Sequence, residues 1–137
     1  MIRLTWVVVL LLTLSGCGKE KNQVPDVPVN LILPLTDPRL TNLNSPGGAV
    51  SFTGYGVAGI IIYRSATSGY RAYDRCSTVN PEKRCAVVLD AGAFSATDPC
   101  SGAKYSLEDG NPAKAPATVA LRQYTVIITG NNIQVVN

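Results

Sequence analysis

The sequence predicts an all-β domain, and three observations carry that prediction. Gly and Pro interrupt most of the domain at short intervals, so long amphipathic helices are not expected. Short runs rich in Val, Ile and Tyr recur between turn residues. Two of the links, Ala91-Gly92 and Gly130-Asn131, are two residues long and have hairpin character. Together these favour a small antiparallel sandwich or barrel. Apolar residues make up 46% of the chain, which lies in the ordinary globular range and supports folding around an apolar core.

Each strand has its own reason. Val29–Leu33 is a short apolar run that stops at Pro34, which cannot donate to a ladder. "AVSF" (49–52) follows the turn "SPGG". "GIIIYR" (59–64) is apolar on consecutive positions, as a strand buried on both faces must be. "SATSG" (65–69) turns the chain into "YRAYD" (70–74). "CAVVLD" (85–90) and "AFSAT" (93–97) flank Ala91-Gly92, and "AKYSL" (103–107) ends in the turn "EDGNP". "RQYTVIIT" (122–129) and "NIQVV" (132–136) form the closing hairpin around Gly130-Asn131. The expected core is Ile60, Ile61, Ile62, Val87, Val88, Val126, Ile127 and Ile128.

The N-terminus reads as a targeting segment. Arg3 precedes an apolar run from Leu4 to Leu14, shorter than the roughly 20 residues a bilayer-spanning helix needs. Small residues then lead into a cysteine, Leu14-Ser15-Gly16-Cys17, which resembles a bacterial lipoprotein signal. The reading is residues 1–16 as signal peptide, Cys17 as lipidation site, residues 17–28 as a polar, Pro-containing tether, and residues 29–137 as the domain. The lipid on Cys17 would be the membrane contact. Gly18-Lys19 brings no Asp straight after Cys17, which leans toward the outer membrane in bacterial sorting.

The net charge of +3 is scattered, and no basic run exceeds Lys83-Arg84, so nucleic-acid binding is not expected. Catalytic patterns are absent as well. The chain contains no histidine and no G-x-S-x-G. Glu108-Asp109 before Gly110 reads as turn chemistry, and the Gly-rich "GGAVSFTGYGVAG" (47–59) reads as bends between strands. Tyr55, in that stretch, is the aromatic expected to be an exposed contact. With Cys17 lipidated, Cys76, Cys85 and Cys100 remain in an oxidising compartment, an odd number. Cys76 or Cys85 can pair with Cys100, and Cys76–Cys85 is a competing bridge around "STVNPEKR".

Three segments carry a family resemblance. "GYRAYDRC" (69–76) resembles the strand entering the first cluster loop of Rieske iron–sulfur domains. "DPCSGAKYSLEDGNP" (98–112) resembles their second loop, C-P-C-H-G-S-x-F followed by a Gly turn. "APATVALRQYTVIITGNNIQV" (115–135) is similar to the family's closing segment. The resemblance spans residues 47 to 137 and implies an antiparallel Rieske-like sandwich or barrel whose two loops meet at one tip. In that family two thiolates hold one iron and two imidazoles the other.

Carried over by position, Cys76 matches the first thiolate, Thr78 stands at the first histidine, Asp98 at the second thiolate and Ser101 at the second histidine. Pro99, Gly102 and Tyr105 keep the loop pattern, and Cys100 falls on the family's non-ligand, bridging cysteine. The resemblance therefore implies a Cys85–Cys100 disulfide, 15 positions apart in sequence and worth roughly 3 kcal/mol by loop-closure entropy, with Cys76 left free. A chain without histidine cannot build a two-His, two-Cys cluster in any register. No cofactor is expected; a 2Fe-2S cluster would need atypical ligands, and zinc on Cys76, Cys85, Cys100 and Asp98 lacks the usual four Cys or His donors.

The resulting expectation is a non-enzymatic, membrane-anchored lipoprotein. Its Rieske-like domain has lost the cluster and serves a structural or interaction role with an envelope partner. Two other readings stand beside it: a 2Fe-2S electron carrier with atypical ligands, and an unrelated β-sandwich binding module.

Overall fold

The structure is a computed structural model and describes residues 23–137. The signal segment, Cys17 and the first part of the expected tether lie outside the described residues. Ten strands form two antiparallel sheets. They are β1 (Asn30–Pro34), β2 (Ala49–Phe52), β3 (Ile60–Arg64), β4 (Tyr70–Asp74), β5 (Val88–Leu89), β6 (Ser95–Thr97), β7 (Lys104–Ser106), β8 (Pro112–Lys114), β9 (Gln123–Thr129) and β10 (Asn132–Val136). The larger sheet runs β1-β10-β9-β4-β3-β2 and the smaller β5-β6-β7-β8. Among the described residues no helix is long and apolar enough to cross a membrane.

The run of isoleucines on β3 explains the layering. Ile60 and Ile62 point into one core and Ile61 and Tyr63 into a second, and all four are buried. The first core joins Leu31 and Leu33 of β1 to Val50 and Phe52 of β2, strands at opposite edges of the same sheet. The large sheet is thus curled on itself, and Leu40 and Leu43 of a 3₁₀ helix, Pro38–Asn44, close the interior. The second core packs Ile61, Tyr63 and Tyr73 against Val87, Ala96, Tyr105 and Leu107 of the smaller-sheet region.

Three of the residues expected in the core sit elsewhere, and a fourth only borders it. Val88 is 52% exposed on the edge strand β5, Ile127 is 42% exposed and Ile128 46%. Val126 is half-buried against the first core. Pairing between β4 and β9 spans only Ala72↔Tyr124 and Tyr73↔Gln123, so the second half of β9 runs on beyond its neighbour and is left uncovered. "CAVVLD" is strand only at Val88–Leu89; Ala86 makes an isolated bridge to Cys76. Strand β8, built from Pro112, Ala113 and Lys114, begins at the last residue of the turn "EDGNP" and runs on past it, where no strand is expected from the sequence. The domain body also starts earlier than residue 29. Val24 is buried, Asp26 pairs with Arg122 at 2.6 Å, and the Asn137 amide donates to the Val27 carbonyl at 2.7 Å.

Candidate functional site

The two loops singled out in the sequence adjoin the smaller sheet: the first crosses to it from the larger sheet, and the second joins two of its own strands. The first leaves β4 through Asp74-Arg75-Cys76, and the second follows β6 as Asp98-Pro99-Cys100. Both begin with the same local device. A short acidic side chain accepts the N–H two residues on, which fixes a turn. Asp74 accepts from Cys76 N at 2.7 Å, and Asp98 accepts from Cys100 N at 2.8 Å.

A disulfide joins Cys85 to Cys100, with Cα atoms 6.3 Å apart. It ties the end of the first loop to the start of the second at one tip. Cys76 is a free, fully buried thiol. Its Sγ contacts the Pro81 carbonyl at 3.5 Å and the Ser77 carbonyl at 3.7 Å. Burial, with the neighbouring Asp74 charge adding to it, pushes the thiol up to about 11. Such a group is neutral and poorly nucleophilic at neutral pH.

Between the loops lies a closed hydrogen-bond network. Asp98 is fully buried. One carboxylate oxygen accepts from the Ser77 hydroxyl at 2.7 Å and the Ser101 hydroxyl at 2.5 Å; the other takes the Cys100 N–H. The Ser77 hydroxyl also meets the Tyr105 phenol at 3.1 Å. That phenol in turn contacts the Thr78 hydroxyl at 3.0 Å and its N–H at 3.2 Å, and Thr78 donates to the Val119 carbonyl at 2.7 Å. Burial alone would raise the Asp98 carboxyl. The Ser101 and Ser77 hydroxyls and the Cys100 and Ser101 N–H groups outweigh it, so the carboxyl stays below its ordinary value.

The structure thus brings Thr78, Asp98 and Ser101 into one neighbourhood with Tyr105, and Cys76 directly precedes Ser77 of that network. Ser77 was not singled out from sequence, although it bridges Asp98 and Tyr105. The Tyr105 phenol, expected only as the loop's aromatic, is the hub. The one available signal was the repeated D-x-C, which marks two acidic turns.

Whether these residues fit a Rieske cluster follows from their donor chemistry. Two imidazoles are required and the chain has none. Cys85, Asp98 and Cys100 lie with their donor atoms within 4.8 Å of one another, but both thiols are spent in the disulfide. The Asp98 carboxylate already serves two hydroxyls and main-chain N–H groups, which fills its acceptor capacity. Cys76 faces carbonyls and holds its proton. The residues do not fit the group.

A separate open cleft of about 490 Å³ lies between the 3₁₀ helix and the β5–β6 hairpin, lined by Asn42, Ser45, Gly48 and Asp90 among others. Its one charged group among the described residues, Asp90, is engaged by Ser95, Thr97 and Lys104 at 2.6–2.9 Å. Burial works against that carboxylate, but these three partners hold it at about 2.

No protein-family model matches the sequence, and no curated protein matches it as a relative. Solved structures do. The plasma membrane Rieske protein of the cyanobacterium Synechocystis PCC 6803 is 22% identical, with a TM-score of 0.56 over 80% of this chain and 98% of that one. The ferredoxin of carbazole 1,9a-dioxygenase from Nocardioides aromaticivorans is 21% identical, with a TM-score of 0.45 over 80% of this chain and 97% of that one. A β-sandwich of different topology is set aside by the first of these. The first likeness, together with two curled antiparallel sheets and paired loops at one tip, establishes that this chain has the Rieske-like fold.

Proposed function

We propose that the protein is a lipid-anchored envelope lipoprotein whose Rieske-like domain has given up electron transfer for a structural or interaction role. The observation that carries this reading is the saturated network of Asp98, Ser77, Ser101, Thr78 and Tyr105. It fills three of the four positions matched to ligands, Thr78, Asp98 and Ser101, with groups that satisfy one another through Ser77 and Tyr105. An Asp and two hydroxyls are hard oxygen donors where iron–sulfur chemistry selects thiolate. Lipidation at Cys17 rests on the N-terminal pattern, and the outer membrane on Gly18-Lys19.

The second reading, an electron carrier with atypical ligands, has one specific observation behind it, the Cys85, Asp98 and Cys100 group. It requires the disulfide to open. One preparation separates the two. The mature protein is purified from membranes in detergent, and its visible spectrum, iron and labile sulfide, N-terminal mass and free-thiol count are taken. The lipoprotein reading expects a colourless protein, an acylated Cys17, and one thiol that reacts only after denaturation. Bound iron and sulfide in stoichiometric amounts would sink it.

A further inference from the structure

The most informative feature outside the paired loops is the seam that fastens the anchor side of the chain to the body. Val24 is 4% exposed, and its carbonyl accepts from Arg122 Nη1 at 3.3 Å. Arg122 also pairs with Asp26 at 2.6 Å. Asn137 then clasps the segment from the other terminus, donating to Asp26 at 2.9 Å and accepting from Val29 N at 3.1 Å. A strap this closely bonded fixes where the anchor leaves the domain.

That exit lies at a definite pole. Asp74 N donates to the Arg122 carbonyl at 2.8 Å, so the strap sits where β4 ends. The Asp74 carboxylate accepts from Val57 N at 2.6 Å and Ala58 N at 3.2 Å. The Gly-rich loop carrying Tyr55 is therefore held at the same pole. The turns Ser65–Gly69 and Gly130-Asn131 lie at the other end of the same strands. Tyr55 is 36% exposed at its loop.

We infer that this pole rests on the bilayer, with the Tyr55 loop meeting the lipid headgroups. The inference deepens the lipoprotein reading and rests on acylation of Cys17. Val24 is seven positions on from Cys17, a reach of at most about 25 Å. The described body, residues 23–137, has a radius of gyration of about 13 Å and spans about 35 Å. Turning it over would put the exit about 35 Å from the surface, farther than the anchor can reach, whereas the strap pole lies within reach. A tyrosine suits that depth, with its ring toward the acyl boundary and its hydroxyl in the wet headgroup layer. Lys19 and Lys21, between anchor and strap, add attraction to anionic headgroups.

The sequence supplies a clean probe. Its one tryptophan, Trp6, lies in the segment removed on maturation, so a mature Tyr55→Trp protein carries a single tryptophan. The acylated protein is reconstituted in vesicles of phosphatidylethanolamine and phosphatidylglycerol bearing brominated acyl chains. Asn131→Trp, in the exposed far turn, serves as control. The expected result is a blue shift and loss of most emission for Tyr55→Trp, with Asn131→Trp unquenched. A long Gly-Ser insert between Lys21 and Asn22 should reduce the quenching while flotation with vesicles persists. Acylated, floating protein with an unquenched Tyr55→Trp, or with stronger quenching of Asn131→Trp, overturns the orientation alone. A mass showing no acyl chain on Cys17 overturns the lipoprotein reading and the orientation with it.

Discussion

Asp74 and Asp98 are both fully buried carboxylates, both stand two residues before a cysteine, and both cap the same kind of turn. Their remaining partners differ. Asp74 is held by main-chain N–H groups of Val57, Ala58 and Cys76 and by the Tyr124 hydroxyl at 2.7 Å. Asp98 is held largely by side-chain hydroxyls contributed by both loops, Ser77 and Ser101. The first carboxylate organises the scaffold: it pins a Gly-rich loop to β4 and β9, at positions that do not correspond to cluster ligands. The second stands at a position matched to a ligand and is satisfied by Ser101, at another such position, and by Ser77, which is at none. The scaffold and the ligand set are therefore physically separable in this chain, and the fold persists where the metal chemistry does not fit.

The comparison breaks most sharply at Asp74. Replacing it with Ala orphans the buried Cys76 N–H and Tyr124 phenol and two half-buried N–H groups, so Asp74→Ala should lose about 4 kcal/mol in urea unfolding. An unchanged midpoint would show that the Gly loop needs no such clasp. Gly56 points the same way. A Cβ there would collide with the Asp74 carboxylate and the Tyr124 hydroxyl, and its φ of +64° already disfavours other residues. The tip comes next. Converting Cys85 and Cys100 together to Ser should cost roughly 3 kcal/mol, while circular dichroism keeps its β signature.

Asp98 sharpens the contrast. Asp98→Asn keeps the side-chain shape but offers an amide where two hydroxyls expect an acceptor, so about 2 kcal/mol should be lost, less than at Asp74. A loss exceeding that of Asp74→Ala would make the ligand-position network the main support of the fold. The smallest effect is in the pH profile. The carboxyls of Asp98 and Asp90 lie below their ordinary values when folded, Asp90 at about 2. Groups depressed on folding contribute stability above their unfolded value, near 4, and lose it as pH falls through the folded value. The urea midpoint should hold from neutral pH to about 5 and fall toward pH 2. In Asp90→Asn part of that acid slope should disappear.

Much of the scaffold was legible because strands announce themselves by burial. Three consecutive isoleucines flagged β3, and Gly130-Asn131 flagged the closing hairpin. β8 was not legible, because Pro112, Ala113 and Lys114 have no strand propensity and pair only because β7 offers a partner at Lys104 and Tyr105. The 3₁₀ helix at Pro38–Asn44 is too short to show periodicity, although Asp37-Pro38 is a fair start signal, and Asp37 does accept from Arg39 N at 2.9 Å. Val24 was hidden by its polar, Pro-rich surroundings. In the candidate site the ligand-position residues were visible by resemblance. What they do for one another was not, because the Tyr105 hub gathers partners some 27 and 28 positions away, which no local pattern encodes.

The central claim is that the ligand positions are filled by a self-satisfied polar network that leaves no seat for a cluster. Anaerobic reconstitution tests it most directly, because it removes the disulfide as an excuse. The purified protein is reduced with dithiothreitol, incubated with ferrous iron and sulfide, desalted, and read by visible absorption and by iron and sulfide per chain. The account predicts no cluster bands and no retained iron or sulfide. A stable visible spectrum with two irons and two sulfides per chain would contradict it.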